Sequence, residues 1–350
     1  MRVLVAMSGG VDSSVAAALL AQEGHEVVGA TLKLWGGEVG SGCCSAGDVR
    51  DARAVADRLG IDHHVFSFVE EFEEAVVAPY VAAHAAGRTP NPCVECNRHL
   101  KFAALLRRAL RLGFDALATG HHARLALSPG GRPRLLRGRD RAKDQSYVLA
   151  TLTAAELSRV RFPIGELTKA EVRQIAAGLG LLTASKPDSQ DVCFVARRSA
   201  AEGGSGGRGE FLGRRIPLHR GRAVSASTGE LLGEVEAVEL VTVGQRRGLP
   251  GGGRARRYAL GVDVAARTVL VGGEEDLYVE EVDLDRLSWV GEPLPAGAGC
   301  LVQTSAHGPA RPARVRDAKV RFLEPARRVA PGQLVACYVG DEVVGSGVAR

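Results

Sequence analysis

The segment MRVLVAMSGGVDSSVAAALL, residues 1–20, decides the fold of the N-terminal half. An apolar, β-branched run over residues 2–7 predicts a buried strand, and the Ala- and Leu-rich stretch that follows predicts a helix to Glu23. SGGVDSS, residues 8–14, lies between them, and its two glycines allow a tight turn and a close approach to a ligand. Unpaired N–H groups at the helix start, with serine hydroxyls, predict a cradle for phosphate. The alternative is a plain Gly-Gly turn with Asp12 or Ser13 as the helix N-cap.

Strand-like and helix-like segments continue to alternate through the first half of the chain. Strands are predicted at residues 27–32, 65–68 and 116–119, and helices at 48–59, 70–86, 100–112, 153–159 and 168–178. This order is typical of right-handed βαβ units, so the sequence predicts an α/β domain with a parallel sheet. Ligands bind such sheets at the carboxyl ends of the strands, where SGGVDSS lies.

The second half of the chain is predicted to be β-rich. Residues 202–209, EGGSGGRG, indicate a flexible linker, and no helical periodicity follows them. Short alternating runs (VEAVELVTV at 235–243, TVLVGG at 268–273 and GQLVACYVG at 332–340) predict small antiparallel β domains. We therefore expect three domains: 1–200 with the sheet and loop, a small central β-rich domain at 201–273 and a C-terminal β-barrel at 274–350.

Composition excludes several classes of protein. Of 350 residues, 45% are hydrophobic and 24% charged, which excludes a disordered or fibrous chain. We expect no membrane span and no targeting segment, because glycine and aspartate interrupt the first apolar run. The seven cysteines are an odd number spread over a long chain, which indicates a cytoplasmic protein with reduced thiols.

Basic residues fall into three clusters. The net charge is +5, and the cations are 39 Arg and 6 Lys, an Arg excess that a GC-rich genome alone could produce. Residues 132–143, 246–257 and 311–328 nevertheless hold six, five and seven basic residues. Three such runs favour a polyanionic partner such as nucleic acid, whereas a solvated surface is the alternative interpretation.

Two cysteine segments indicate thiol chemistry. CVEC, residues 93–96, is predicted in a turn that leads into a helix, where the helix dipole and Arg98 favour the thiolate. A third thiol, Cys193, follows in DSQDVCF, residues 188–194. The residues favour redox chemistry or sulfur transfer, and half of a zinc site or a buried structural cysteine are the alternatives.

Several motifs together resemble a known family. SGGVDSS is similar to the loop of the PP-loop ATP pyrophosphatases, and GCCS (42–45), TPNPCVECN (89–97), ATGHHAR (118–124), KDQSYVL (143–149) and DSQDVCF follow in the order found in tRNA-specific 2-thiouridylases. The match covers residues 1 to about 200 and continues more weakly through VTVGQRRGL (241–249) and VAPGQ (329–333). The resemblance implies an adenine nucleotide alpha hydrolase-like parallel-sheet domain followed by two small β-rich domains.

The resemblance also implies the reaction. Family members use ATP, here expected with Mg2+, to adenylate O2 of the wobble uridine (U34) of tRNA, and then replace that oxygen with sulfur from a cysteine persulfide. The products are 2-thiouridine, AMP and pyrophosphate. By the same match, Cys193 carries the persulfide and Cys96 is the nucleophile, and a Cys96–Cys193 disulfide remains for a reductant.

Further residues receive roles from the resemblance alone. The implied ATP contacts are Ala6, Met7, Ser8, Gly9, Gly10, Val11, Asp12, Ser13, Leu32 and Gly120. The implied contacts with the target base are Asn91, Pro92 and Cys93, and those with tRNA are His121, Lys143, Asp144, Gln145 and Gln333. The implied partners are the tRNA anticodon stem-loop and a persulfide donor such as a cysteine desulfurase or a sulfur-relay protein.

The chain departs from the family pattern at two places. Many members have Asp where this chain has Cys93, so Cys93, Cys96 and Cys193 as ligands of a 4Fe–4S cluster are the alternative to a site without metal. The family's Arg-Tyr-Arg segment corresponds here to Val302-Gln303-Thr304-Ser305, and the basic cluster at 311–328 is a substitute for that tRNA contact. The rival interpretations are a PP-loop ligase with a small-molecule substrate and an RNA-binding module with an inactive loop.

Overall fold

The computed structural model describes residues 1–35, 45–188, 192–195, 206–250 and 256–350. Cys43 and Cys44, residues 189–191 of the DSQDVCF segment, the first part of the predicted linker and Arg254 lie outside the described residues. The chain divides into two compact units. The first contains Met1–Val76, Cys93–Ala196 and Asp341–Val344, and the second contains Val77–Pro92, Arg197–Gly340 and Gly345–Arg350.

The strands and helices are numbered in chain order. The strands are β1 Arg2–Ala6, β2 Glu26–Lys33, β3 Asp62–Ser67, β4 Ala116–Thr119, β5 Ala123–Leu127, β6 Pro133–Arg137, β7 Val160–Arg161, β8 Gly221–Ser225, β9 Leu231–Val235, β10 Tyr258–Asp263, β11 Thr268–Gly272, β12 Tyr278–Trp289, β13 Gly299–Gln303, β14 Arg311–Arg316, β15 Lys319–Arg327, β16 Leu334–Val339 and β17 Glu342–Ala349. The α-helices are α1 Val11–Gln22, α2 Ala46–Leu59, α3 Val69–Phe72, α4 Ala78–Ala85, α5 Pro92–Glu95, α6 Leu106–Arg111, α7 Ala154–Ser158, α8 Lys169–Gly178 and α9 Gly206–Gly213. Segments Glu73–Val77 and Cys96–Leu105 are π-helical, and Ser146–Leu149, Val238–Leu240 and Glu275–Leu277 are 3-10 turns.

A parallel sheet forms the centre of the first unit, as the strand–helix alternation predicts. Its strand order is β3-β2-β1-β4-β7, and every pair is parallel. The middle of β1 is fully buried, since Val3, Leu4 and Val5 are at most 1% exposed. Helices α1 and α8 pack against each other and share one hydrophobic core with β1. A strand that reads as continuous apolar sequence is therefore covered on both faces.

An antiparallel hairpin in the first unit was not predicted. Strands β5 and β6 pair with each other, and residues 342–343 of β17 add to β6. Two ion pairs stabilise the pairing of β17 with β6: Arg134 lies 2.6 Å from Glu342, and Arg124 lies 2.8 Å from Asp341. The many arginines of residues 124–141 interrupt the apolar alternation, so the segment has the pattern of a charge cluster rather than that of a strand.

Two predicted helices differ from the sequence expectation. The helix expected at 70–86 runs over Val69–Ala85 with its π segment in the middle. The helix expected at 100–112 begins at Pro92, eight residues earlier, so Cys93 and Cys96 lie within helical turns and not in a turn before them. Proline fits the first position of a helix because its missing N–H has no intrahelical partner there. The Pro-Asn-Pro sequence therefore marks the helix start, although it reads as a turn.

The central sheet of the second unit corrects three expectations. Its strand order is β10-β11-β8-β9, and β11 runs parallel to β8, so the sheet is mixed rather than antiparallel. The run at 235–243 is not a strand after Val235, because Val238–Leu240 is a 3-10 turn, and Val238 and Val241 are buried at a spacing of three. Helix α9 lies where a linker without helix was expected, and buried Phe211 and Leu212 stabilise it despite its glycines.

The last strands of the second unit close into a barrel, as predicted. The order β12-β15-β14-β13-β16-β17 returns to β12, which pairs with residues 345–349 of β17. Strand β14 alternates exposed Arg311, Arg314 and Arg316 with buried Ala313 and Val315. The basic cluster at 311–328 therefore presents a row of exposed arginines on the barrel surface.

Candidate active site

Three neighbouring strand ends meet at the SGGVDSS loop. Strand β1 lies between β2 and β4, with Ala6 opposite Ala30 on one side and Thr119 on the other. The order of strands reverses between β1 and β4, and such a switch point leaves a crevice at the carboxyl ends of the strands. Leu32 and Gly120 lie at the ends of β2 and β4, so the predicted ATP contacts converge on one edge of the sheet.

Glycine is required at two positions around the loop. Gly9 has φ +71°, and a Cβ there would lie 2.3 Å from the carbonyl oxygen of Asp48. A Cβ on Gly120 would lie 2.5 Å from both the carbonyl carbon of Asp12 and the amide nitrogen of Ser13. These distances are shorter than any van der Waals contact, and the atoms met are backbone atoms that cannot rotate away. The loop is thus fixed between α2 and the end of β4.

The loop serines hold the backbone turn. The hydroxyls of Ser13 and Ser14 donate to the carbonyl oxygen of Gly10, at 3.1 and 2.8 Å, and the Ser8 N–H donates to the Ser13 oxygen at 3.2 Å. Gly10 is the N-cap of α1 and no side chain caps the helix, so the alternative with Asp12 or Ser13 as N-cap is wrong. No N-cap side chain therefore binds the first N–H groups of α1, and helix starts of this kind can bind anions.

Asp12 faces two basic side chains, Lys169 and His122, from distant parts of the chain. Lys169 Nζ lies 2.8 and 2.7 Å from its two carboxylate oxygens, and His122 Nε2 lies 3.2 Å from Oδ1. Burial raises the pKa of Asp12, but the hydrogen bonds from His122 and Lys169 outweigh burial and leave the pKa below its ordinary value. Asp12 is therefore a carboxylate at neutral pH, and it lies in the first turn of α1.

Asp188 forms a second centre of charge beside the first. Lys143 Nζ and Lys169 Nζ each lie 2.8 Å from a carboxylate oxygen of Asp188, and Arg173 lies at 2.9 Å. Burial opposes ionisation, but the hydrogen bonds from Lys143 and Lys169 hold the pKa of Asp188 well below its usual range. The same pairing raises the pKa of Lys143. Lys169 therefore bridges Asp12 and Asp188.

Lys169 and Lys186 were not predicted as site residues, whereas Lys143 was named as a tRNA contact by the resemblance. Lys143, Lys169 and Lys186 all form ion pairs here, and Lys186 binds Asp48 at 2.8 Å and also Asp51. They are half of the six lysines in a chain with 39 arginines. In a chain so strongly biased to Arg, a Lys indicates a position that suits a compact ammonium rather than a planar guanidinium.

The thiols of the cysteine segments lie in the first unit. Cys93, in α5, and Cys193 are partly exposed, Cys96 begins the π segment and is 9% exposed, and all three are present as thiols. Phe194 packs edge-on against Phe72 of α3, with the ring centroids 5.6 Å apart. Helix α3 in turn contacts the π segment that Cys96 begins. The segment with Cys193 is thereby packed near the helix with Cys96.

The same thiols are the ligands that the alternative of an iron–sulfur cluster requires. Within the part of the chain that the structure describes, no three His, Cys, Asp or Glu side chains are grouped so that they could hold a metal ion. The described thiols thus show no ready-made set of cluster ligands.

The residues expected at tRNA make internal contacts. His121 is buried between Phe102 and Phe162, and its ring bonds to Thr119 at 2.7 Å. Burial, with the charge of Lys101, keeps the pKa of His121 far below its ordinary value. Gln145 accepts from the His122 N–H at 2.9 Å.

Asp144 is also engaged inside the first unit. Its carboxylate pairs with Arg137 at 2.9 Å and accepts from the Gly138 and Ser146 N–H groups. It therefore holds the turn that presents Lys143.

The remaining predicted contacts lie in the second unit. Asn91 and Pro92 precede and begin α5, and the Gln333 side chain donates to the carbonyl oxygen of Thr89. In the segment at 302–305, Gln303 is 4% exposed and donates to the carbonyl oxygen of Ser305 at 2.9 Å.

Family models define the class of protein. The model described as tRNA methyl transferase HUP domain matches residues 1–197, the one described as tRNA methyl transferase PRC-barrel domain matches 209–273, and the one described as aminomethyltransferase beta-barrel domain matches 279–349. The fold is accordingly a HUP-type parallel-sheet domain followed by β-rich barrel domains. No described helix is both long and apolar enough to cross a bilayer.

Curated relatives narrow the class to one family. The chain is 47% identical to the tRNA-specific 2-thiouridylase MnmA of Mycolicibacterium gilvum, over 100% of this chain and 99% of the relative. It is 46% identical to the proteins of the same name from Saccharopolyspora erythraea, over 99% and 98%, and Acidothermus cellulolyticus, over 99% and 96%. The chain belongs to the tRNA-specific 2-thiouridylase family.

Proposed function

We propose that this protein is a tRNA-uridine 2-sulfurtransferase that thiolates the wobble uridine, U34, of tRNA at the expense of ATP. The observation that carries the proposal is the presence in one unit of a glycine-built phosphate cradle and the two cysteine segments. The relatives of similar length named tRNA-specific 2-thiouridylase support it. A cytoplasmic location is part of the same proposal.

The cradle activates the uridine. ATP, with Mg2+, supplies the leaving group, since attack by uridine O2 on the α-phosphate releases pyrophosphate and places AMP on O2. The residues that would contact ATP are those predicted from the sequence, and the N–H groups at the start of α1 bind the phosphates. Asp12 stays ionised through Lys169 and His122, which suits it to hold the metal ion that accompanies the phosphates.

The thiols deliver the sulfur. The terminal sulfur of a persulfide on Cys193 attacks C2 of the activated uridine, and AMP leaves with the C–O bond electrons. The Cys96 thiolate then attacks the Cys193 sulfur, which frees 2-thiouridine and leaves a Cys96–Cys193 disulfide. Two electrons from a reductant restore both thiols, and a sulfur donor protein recharges Cys193. Cα atoms of a disulfide lie within about 7 Å, so the two segments must meet in this step.

The remaining contacts extend the proposal to the bound tRNA. Asn91, Pro92 and Cys93 face the target base, whereas His121, Lys143, Asp144, Gln145 and Gln333 lie along the tRNA. Exposed arginines of β14 add contacts with phosphates. The division into domains at 1–200, 201–273 and 274–350 is supported by the family-model matches at 1–197, 209–273 and 279–349.

Methyl transfer, which the family-model description names, is the competing reaction. A methyl transfer needs no cleavage of ATP to AMP and pyrophosphate and no thiol that carries sulfur. The cradle and the two cysteine segments therefore favour thiolation. A ligase with a small-molecule substrate is the other competitor, and it would release pyrophosphate without tRNA.

Thiol variants test the proposal. Pyrophosphate release by the wild type should depend on tRNA, and Cys193→Ser should keep this release but form no thiolated product. Cys96→Ser should accumulate a persulfide on Cys193, whereas Cys300→Ser, a buried barrel thiol, is the control and should behave as wild type. Cys93→Ala should keep most activity. Equal inactivity of the Cys93, Cys96 and Cys193 variants, with loss of activity on iron removal, would replace the persulfide relay with a cluster.

A further inference from the structure

The ion pairs around Asp188 connect the nucleotide loop with the segment that carries Cys193. We propose that Asp188 is a positioning residue for sulfur delivery, and that Lys169 couples this anchor to the occupied loop. The inference rests on the proposed function and deepens it, because it assigns a role to residues that neither bind the base nor carry sulfur.

The platform for the anchor is rigid. Lys169 and Arg173 are one turn apart on α8, and Thr168 begins this helix with a capping box in which Glu171 returns the hydrogen bond. The buried face of α8, with Val172 and Ala176 at 0% exposure, packs against α1. A helix capped at its start and buried along one face holds its cations at fixed positions.

The anchor limits where Cys193 can go. Cys193 is five residues beyond Asp188, and a fully extended chain covers at most about 3.5 Å per residue, so its Cα stays within ~18 Å of Asp188. Phe194 adds a second attachment through Phe72. A reacting sulfur that is confined near its target needs less entropy loss to reach it, and a displacement of about 1 Å can cost ~100-fold in rate.

Lys169 gives the anchor its link to the nucleotide. One ammonium lies 2.7 Å from Asp12 and 2.8 Å from Asp188, and its side chain is 12% exposed. Phosphates bound at the loop would attract this same ammonium, so an occupied loop and the Asp188 anchor act on one cation. Delivery of sulfur is thereby tied to a loop that holds nucleotide.

Substitution of Asp188 separates the two half-reactions. In Asp188→Asn the charge is lost at nearly constant shape, and we expect tRNA-dependent pyrophosphate release to stay within about twofold of wild type, whereas 2-thiouridine formed per pyrophosphate falls at least about tenfold. Asp188→Glu, which keeps the charge, should recover most of the product yield. Asp341→Asn is the matched control, because Asp341 has a similar exposure and pairs with two basic side chains, Arg124 and Arg141, where Asp188 pairs with three.

The outcomes distinguish this inference from the proposed function. An unchanged yield per pyrophosphate in Asp188→Asn overturns the positioning role. Equal loss of pyrophosphate release and product in Asp188→Asn, with a lowered unfolding temperature, also overturns it, because Asp188 would then only stabilise the fold. Failure of the wild type to release pyrophosphate with tRNA, or to form 2-thiouridine, would instead contradict the proposed function itself.

Discussion

Replacing Gly9 with alanine tests the phosphate cradle at its tightest point. Gly9 and Gly60 both adopt a left-handed backbone, at φ +71° and +66°, and a side chain in that region costs roughly 1–2 kcal/mol. A Cβ on Gly60 meets nothing within 4 Å, whereas a Cβ on Gly9 lies 2.3 Å from the Asp48 oxygen. Gly60→Ala is therefore a control with the same backbone strain and no collision.

The collision sets the size of the expected effect. The Gly9 Cβ is about 1 Å short of ordinary contact, and overpacking of this kind costs typically ~1–3 kcal/mol. We expect Gly9→Ala to lower the free energy of unfolding by ~2–5 kcal/mol and Gly60→Ala by ~1–2 kcal/mol. If the loop yields by about 1 Å instead, tRNA-dependent pyrophosphate release should fall ~100-fold in kcat/KM.

Two measurements on the same preparations distinguish a loss of stability from a shift of the loop. Urea unfolding gives the stability difference, and pyrophosphate release at varied ATP gives kcat and KM. The reasoning would be refuted if Gly9→Ala matched Gly60→Ala in both, since the contact with Asp48 would then constrain nothing.

Three further predictions concern other parts of the molecule. Burial lowers the pKa of His84 to about 4. In the unfolded chain this histidine binds a proton near pH 6.5, whereas in the folded chain it binds the proton only near pH 4. Stability should thus fall by up to ~3 kcal/mol as the pH is lowered across this range, and urea unfolding of His84→Gln should lose that dependence. Phe194→Ala removes a ring contact worth ~1 kcal/mol and should lower the 2-thiouridine yield, measured by nucleoside analysis, but not pyrophosphate release. The exposed arginines of β14 are Arg311, Arg314 and Arg316. Replacing them with Gln should reduce the slope of log tRNA affinity against log salt concentration by about 0.7–0.9 per true contact. An unchanged slope would exclude contact through these residues.

Features that depend on neighbouring residues could be predicted from the sequence. The buried run of β1, the glycines of the loop and the apolar pattern of α1 are local, and together they define the strand–loop–helix unit. The apolar run of β16 predicted a barrel strand for the same reason, although its first five residues are all buried and burial does not alternate along it. The local signals agree with the final fold, so they were sufficient.

Other features depend on residues that are far apart in sequence. The Asp12–Lys169 ion pair joins residues 157 positions apart, and the sequence gives no spacing rule for such a contact. Tertiary burial of Phe211 and Leu212 overrides the poor helix propensity of the glycines in α9. The carboxylate of Glu239 is buried in the 3-10 turn after β9, and the His219 ring nitrogen Nδ1 stabilises it from 2.7 Å away. These partners become visible only once the chain is folded.

Mass spectrometry of digested tRNA shows whether the protein thiolates the wobble uridine. Unmodified tRNA is incubated with the protein, ATP and a persulfide donor, then digested, and the uridine at position 34 is analysed. We expect 2-thiouridine that requires ATP, with AMP and pyrophosphate formed alongside, and no such product from Cys193→Ser. Recovery of unmodified or methylated uridine at that position, with an active donor present, would contradict it.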